Sequence, residues 1–223
     1  DCSRTVPLGQ PAGEVPFVQI PLDGSGTRAG ISLASAGDMG LTLRGDPTRM
    51  GDSRFRAGLF AALGVESGLV RCVRQVHSRT VVRIDGTESP DGPFAEADGM
   101  VTDRADLLLT VTVADCLPIY LADRRTGAFA LVHSGWKGTG IVLEAVRLMA
   151  SAYGTRATDL AVTIGPGIGP CCYAVPAERY ELFRARFGPR AVQREPDGRP
   201  RLDLRAANEV LLEREGVGRV TII

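Results

Sequence analysis

The spacing of hydrophobic residues changes several times along this chain, and each change marks a predicted element. Within the Gly- and Pro-rich first fifty residues, "VPFVQIPL" is a short extended piece. "SRFRAGLFAALGV" places apolar residues at helical intervals, with Ser53 as its cap and Gly64 as its stop. "GLVRCVRQVHS" and "TVVRI" predict strands with a short break between them. "DGTESPDGPFAEADG" is a polar loop of turn formers. "LLLTVTVADC" is a nearly continuous apolar run, as expected of a strand buried on both faces. "LPIYLAD", "RRTG" and "AFALVH" predict a hairpin. The helical period returns in "IVLEAVRLMASAYG", with Gly154 as a stop, and "DLAVTIG" predicts a strand. "PAERYELFRARFG" predicts a helix begun by Pro176, "DLRAANEVLLEREGV" one capped by Asp203, and "RVTII" a last strand. No repeat, low-complexity segment or dividing linker interrupts this series. One α/β or α+β domain over residues 1–223 is expected, and the hairpin beside buried strands favours mixed sheets.

Composition supports a sizeable core, since 44% of the 223 residues are apolar. Acidic and basic residues balance at 26 each, so no nucleic-acid partner is implied. No apolar run approaches the roughly eighteen residues of a membrane span. The opening "DCSRTVPLGQ" lacks a charged-then-apolar pattern, and no signal peptide is expected. There are five cysteines (Cys2, Cys72, Cys116, Cys171 and Cys172). The number is odd, the adjacent pair cannot easily bridge to itself, and a domain this large needs no disulfide staples. A reducing, cytoplasmic setting is expected, in which a special cysteine is a ligand or a nucleophile. The oligomeric state is left open.

The chain holds only two histidines. His77 ends the predicted strand "RCVRQVH", His133 ends "AFALVH", and Cys116 ends "LLLTVTVADC". Singly, such residues are most often surface histidines or inert packing. Together, at the rim of one sheet, two imidazoles and a thiolate can surround one ion at about 2.0–2.3 Å. The set suits zinc with an open fourth position, and copper is the alternative. Asp115 precedes Cys116, and strand alternation would send the two side chains to opposite faces unless Pro118 disturbs the pleat. Asp98, in "EADG", is read first as a turn former and second as the partner that orients a ligand histidine. In "HSGWKGTG", Gly135 and Gly138 permit close backbone approach and Lys137 offers a point charge before a helix start. "GPGIGP" is a second glycine-bearing strand exit without the Lys-Ser/Thr ending of a Walker loop. Cys171 and Cys172, next to it, are expected to be buried more readily than to act as ligands.

"RQVHSRTVV", "EADGMVTD", "VTVADCLPIYLAD", "ALVHSGWKGTG" and "IGPGIGPCCYAV" occur in the order and spacing of one family. Over roughly residues 27–215 the chain resembles the YfiH/YlmD family of laccase-domain proteins, also called polyphenol oxidoreductases or peptidoglycan editing factors. The resemblance implies an α+β fold, a single layered α/β/α domain with mixed sheets. It also implies a metal, usually zinc, held by His77, Cys116 and His133. Near the N-terminus the family pattern is matched by "TRAGISLASAGDMGL". Arg28 and Ser32 align, one glycine is missing, and Met39 stands where Asn is usual. The family continues past the last strand with a Cys-Thr element and a Ser-x-Arg, whereas this sequence ends at Ile223.

The resemblance implies purine nucleoside chemistry: phosphorolysis of adenosine, inosine, guanosine and methylthioadenosine, and deamination of adenosine. The partners expected are a nucleoside and phosphate, the latter held by Arg28, Lys137 or loop amides. Deamination needs a proton shuttle, for which Asp98 and Asp115 are candidates. The alternatives are a metal amidase editing peptidoglycan precursors, a copper-binding phenol oxidase, and a metal-free Cys–His hydrolase with Cys116 as nucleophile. A four-copper laccase site is excluded by counting, because two histidines cannot supply it.

Overall fold

The computed structural model describes residues 16–22, 26–40, 42–43, 46–50, 53–89 and 94–223. The opening "DCSRTVPLGQ" with Cys2, and part of the polar loop at 90–93, lie outside the described residues.

In chain order the elements are β1 (Phe17–Ile20), β2 (Ala29–Ser32), β3 (Thr42–Leu43), β4 (Asp46–Met50), α1 (Ser53–Ala62), β5 (Val70–Cys72), β6 (Val81–Arg83), β7 (Gly99–Thr102), β8 (Leu108–Thr110), β9 (Leu117–Asp123), β10 (Phe129–Ser134), α2 (Ile141–Tyr153), β11 (Leu160–Ile164), α3 (Ala177–Phe187), β12 (Val192–Arg194), β13 (Pro200–Leu202), α4 (Leu204–Arg214) and β14 (Arg219–Ile222). Six of these strands form one sheet in the order β14-β11-β9-β10-β7-β6. The inner pairs β11–β9, β9–β10 and β10–β7 are antiparallel, and the outer pairs β14–β11 and β7–β6 are parallel. The mixed α+β architecture expected from the hairpin is therefore the one observed.

Alternation along the strands builds two hydrophobic layers. Leu117, Ile119 and Leu121 of β9, Ala130 and Val132 of β10, and Leu160, Val162 and Ile164 of β11 face one side. There they meet Ile141, Val142, Ala145 and Met149 of α2, spaced as one helical stripe, together with α3 and α4. Tyr120, Leu131 and Met100 face the other side and pack with Ile20, Val73, Ile84, Leu107 and Leu109. Here the β1–β2 hairpin and the parallel β5–β8 pair pack against the sheet. The hairpin is also tied down by polar contacts. The buried Tyr120 hydroxyl donates to Gly30 O at 3.0 Å, and Thr163 Oγ1 donates to Pro21 O.

Most helices keep their expected limits. Gly154 ends α2 in the left-handed conformation, and Pro176 takes the cap position of α3. Asp203 caps α4, its carboxylate accepting from Ala206 N at 3.0 Å. Asp203→Ala should lower unfolding stability by about 1 kcal/mol, read as a shifted urea midpoint at unchanged slope.

Two strand expectations need correction. The strand before His77 stops at Cys72, and His77 itself lies in a bend. The run "LLLTVTVADC" is strand only at Leu108–Thr110, and residues 114–116 form a bend ahead of β9. In both places side chains take over part of the backbone pairing that a regular ladder would supply. Gln75 Oε1 accepts from Thr112 N at 2.7 Å and Gln75 Nε2 donates to Thr112 O at 2.8 Å. The β-branched composition of residues 111–113 resembles that of a strand, but there the backbone of Thr112 pairs with the Gln75 side chain.

Candidate metal centre

Asp98 organises the site. It is fully buried, in the segment leading into β7. Its carboxylate accepts from the backbone N–H of Val76 (3.2 Å), His77 (3.0 Å) and Ser78 (2.6 Å), and from the Ser78 hydroxyl (2.8 Å). Three successive N–H groups thus wrap one anion. The wrapping holds His77 at φ 58°, a left-handed conformation uncommon for a residue with a side chain. Across the sheet, His133 Nδ1 lies 2.9 Å from Asp98 Oδ1. The same carboxylate therefore fixes the backbone of one histidine and the ring of the other. With Nδ1 of His133 engaged, Nε2 is the nitrogen free to act as a ligand.

Cys116 arrives by register. Ser134 pairs with Leu117 at the open end of the β9–β10 hairpin, so the next residues, Gly135 and Cys116, are neighbours. A Cβ on Gly135 would lie 2.7 Å from Cys116 Sγ and 3.4 Å from His77 Cδ2, so the glycine makes room for the sulfur. One donor atom each from His77, Cys116 and His133 falls within 4.8 Å of the others. The two imidazoles meet edge to face, with ring centres 4.9 Å apart.

The electrostatics follow from this packing. Burial raises the Asp98 pKa, but hydrogen bonds from His133, Ser78 and Val76 outweigh it and bring it down to about 2. Burial lowers the His133 pKa, but the Asp98 hydrogen bond and the Cys116 sulfur outweigh it and bring it up to about 9. A cation entering the site therefore displaces a proton from His133.

The donor set fits a zinc-type ion. Small side-chain rotations close a 4.8 Å spread onto bonds of about 2.0–2.3 Å. A buried carboxylate already orients one imidazole, as metal-ligating histidines require.

Beside the three donors is a cleft of about 380 Å³ lined by Val76, His77, Asp115, Cys116, Trp136, Lys137, Ile168, Tyr173 and Leu204. That volume is in the range of small-ligand pockets. Because residues 114–116 bend, Asp115 and Cys116 border the same cleft, which a regular pleat would forbid. Asp115 is exposed, as is Lys137. Arg28 is also exposed but lines a separate, broader hollow that reaches His77, Cys116 and His133 from the β1–β2 side, along with Met39. Arg28 and Lys137 thus approach the donors from different hollows. Asp98, first read as a turn former, is instead the buried partner of a candidate ligand. Cys171 and Cys172 are exposed rather than buried, and neither joins the donor group. Cys171 is disulfide-bonded, which corrects the expectation that the cysteines stay reduced.

Gln75, Ser78 and Tyr173 also belong to the site, although no sequence pattern singles them out individually. None carries a periodic or charge signal, and only membership of the motifs "RQVHS" and "IGPGIGPCCYAV" marks them.

A family model described as multi-copper polyphenol oxidoreductase laccase matches residues 26–223. The chain belongs to this laccase-domain family. The purine nucleoside phosphorylase of Deinococcus radiodurans is 35% identical over 213 residues, which cover 94% of this chain and 81% of that one. Purine nucleoside phosphorylase LACC1 of Homo sapiens is 34% identical over 145 residues, 64% of this chain but 33% of the human protein. This laccase-domain chain thus spans about a third of that relative's length. The crystal structure of YlmD from Geobacillus stearothermophilus superposes with a TM-score of 0.74 at 28% identity, over 92% of this chain and 78% of that one.

In this laccase-domain site Gly135 is the sharpest steric test. Gly135→Ala places a methyl against the Cys116 sulfur and should weaken metal affinity about tenfold or more. Circular dichroism should stay as in the wild type. Metal content after dialysis against a weak chelator measures the effect, and unchanged retention would show that the sulfur is not a ligand.

Proposed function

We propose that this chain is a zinc enzyme of purine nucleosides. It would phosphorolyse adenosine, inosine, guanosine and methylthioadenosine, and deaminate adenosine. The observation that carries this reading is the convergence of His77, Cys116 and His133 beside a cleft with an aromatic wall. The curated names of the relatives support it. Zinc, when bound by these three residues, would supply positive charge and acidify a water molecule; copper suits the same donors.

The chain's own residues do the rest. Trp136, Tyr173, Ile168 and Leu204 offer a flat apolar flank to a purine. Lys137 and Arg28 supply exposed cations for phosphate. Asp98 keeps His133 oriented, and its hydrogen bonds to the loop and to His133 leave it no part in moving protons to substrate. Asp115, exposed on the cleft wall, is the carboxylate placed to carry a proton to or from the base. In phosphorolysis the bond from the sugar's anomeric carbon to the base breaks, a bond from that carbon to phosphate oxygen forms, and the departing base gains a proton.

A second reading rests on one observation. His133 stands between Asp98 and Cys116, the order of a metal-free Cys–His hydrolase. It gives His77 no task, although His77 is held in an uncommon conformation against the other two donors.

The test is a substrate panel with metal content measured on the same sample: adenosine with and without phosphate, inosine, guanosine, methylthioadenosine and a UDP-muramoyl aminoacyl precursor. About one tightly held zinc with phosphate-dependent release of free base is expected. Turnover of the muramoyl substrate alone would move the assignment to the amidase. Activity that survives complete metal removal would move it to the hydrolase.

A further inference from the structure

Arg179, on the first turn of α3, has no task in the scheme above. Its guanidinium carbon lies 4.0 Å from the centre of the Trp136 ring, a stacking distance for a cation on an indole face. The same group acts on Tyr173, where burial raises the phenol pKa and the Arg179 charge opposes the rise. Trp136 and Tyr173 are the two aromatic rings of the cleft that holds His77 and Cys116. One guanidinium on a helix thus stacks on one ring of the wall and acts by its charge on the other.

Two features make this more than surface decoration. Other arginines nearby pair with carboxylates: Arg184 of the same helix meets Glu181 at 3.6 Å, and Arg194 meets Glu181 at 3.3 Å. Arg179 makes no carboxylate ion pair among the described residues, and its guanidinium lies over the Trp136 ring instead. Trp136 sits in the turn at 136–140 between β10 and α2, where no ladder or helix fixes its side chain. Its orientation depends on packing against the helix-side core and on the cations over its ring, of which Arg179 at 4.0 Å is nearer than Lys137 at 5.7 Å. A ring ordered before the ligand arrives spares the ligand that ordering cost.

We propose that Arg179 is a positioning residue that holds Trp136 and Tyr173 as a preset wall, against which a planar heteroaromatic base seats beside His77, Cys116 and His133. This rests on the purine reading above. The arginine governs how tightly a base is held rather than how fast it reacts. The site should therefore favour flat, fused-ring bases over non-planar ligands of similar polarity.

Trp136 is the chain's only tryptophan, so its fluorescence reports on the wall directly. Adenine titrated into the intact wild-type chain should quench this emission to saturation. Arg179→Ala should shift the emission to longer wavelength and weaken adenine binding about tenfold. It should raise the KM for adenosine by a similar factor and leave kcat within about twofold. Arg179→Lys should recover part of the affinity, since it keeps a charge near the ring but not the planar stack. Thermal melting confirms that each variant is folded. Wild-type adenine affinity and unshifted emission in Arg179→Ala would overturn the positioning role and leave the purine reading standing. Failure of the wild type to bind adenine, by quenching and by equilibrium dialysis, would overturn both. Should Arg179→Ala fail to fold, Arg179→Lys and Arg179→Met decide: equal affinities for the two, matching the wild type, overturn the proposal.

Discussion

Replacing Cys116 with alanine is expected to reduce nucleoside turnover to the uncatalysed background while the fold persists. The sulfur is the only donor of the three that is not an imidazole, and without it two histidines remain to hold an ion. The cost to folding should be small, within about 1 kcal/mol, because Cys116 is half-buried in a bend and supports no core layer. Metal content and activity should therefore fall together with the melting curve almost unmoved. Cys116→Ser keeps the size but swaps a soft ligand for a hard one, and should recover little. Full conversion of adenosine by Cys116→Ala would end the metal-centred mechanism.

Asp98 behaves differently, because it serves the fold and the site at once. Asp98→Ala strands three backbone N–H groups at Val76, His77 and Ser78 and removes the acceptor of His133 Nδ1. Buried donors left without partners cost about 1–3 kcal/mol each, and loop relaxation toward water should leave a net loss of about 3 kcal/mol or more. His77 should then leave its left-handed conformation and take one donor out of range. Asp98→Asn retains an oxygen for some of these donors but not the charge that sets the ring of His133. Its main effect should fall on metal affinity, about 10–100-fold, with a smaller loss of stability. Denaturant titration and metal-binding isotherms on both variants separate the two roles. Equal metal affinity in wild type and Asp98→Asn would show that the carboxylate does not act through His133.

Much of this fold is legible in the sequence. The apolar periods of "IVLEAVRLMASAYG" and "DLRAANEVLLEREGV" place α2 and α4 because each helix buries one stripe against a sheet. The hairpin at "LPIYLADRRTGAFALVH" is legible because alternation and turn chemistry agree there. His77 and His133 stand out because the chain has only two histidines, and Cys116, one of five cysteines, stands out by its place at the end of an apolar run. The loops that bring them together are less legible. At residues 73–78 and 111–116 the backbone bonds to the side chains of Asp98 and Gln75, and such contacts span 20 to 37 positions. Local pattern cannot anticipate a partner so distant, so both segments read as strands. The Arg179–Trp136 contact is hidden for the same reason, since it crosses from a helix to a turn 43 positions earlier.

The hairpin that seats Cys116 beside Gly135 makes the site intolerant of insertions in an uneven way. An extra residue at the tip, around 124–126, leaves the pairing of Leu117 with Ser134 intact and should pass without chemical effect. The same insertion inside β9 or β10 turns the downstream side chains to the opposite face of the sheet. Lineages that lengthen or shorten this ribbon are therefore expected to do so at its far end, leaving the strand count between sulfur and imidazole unchanged.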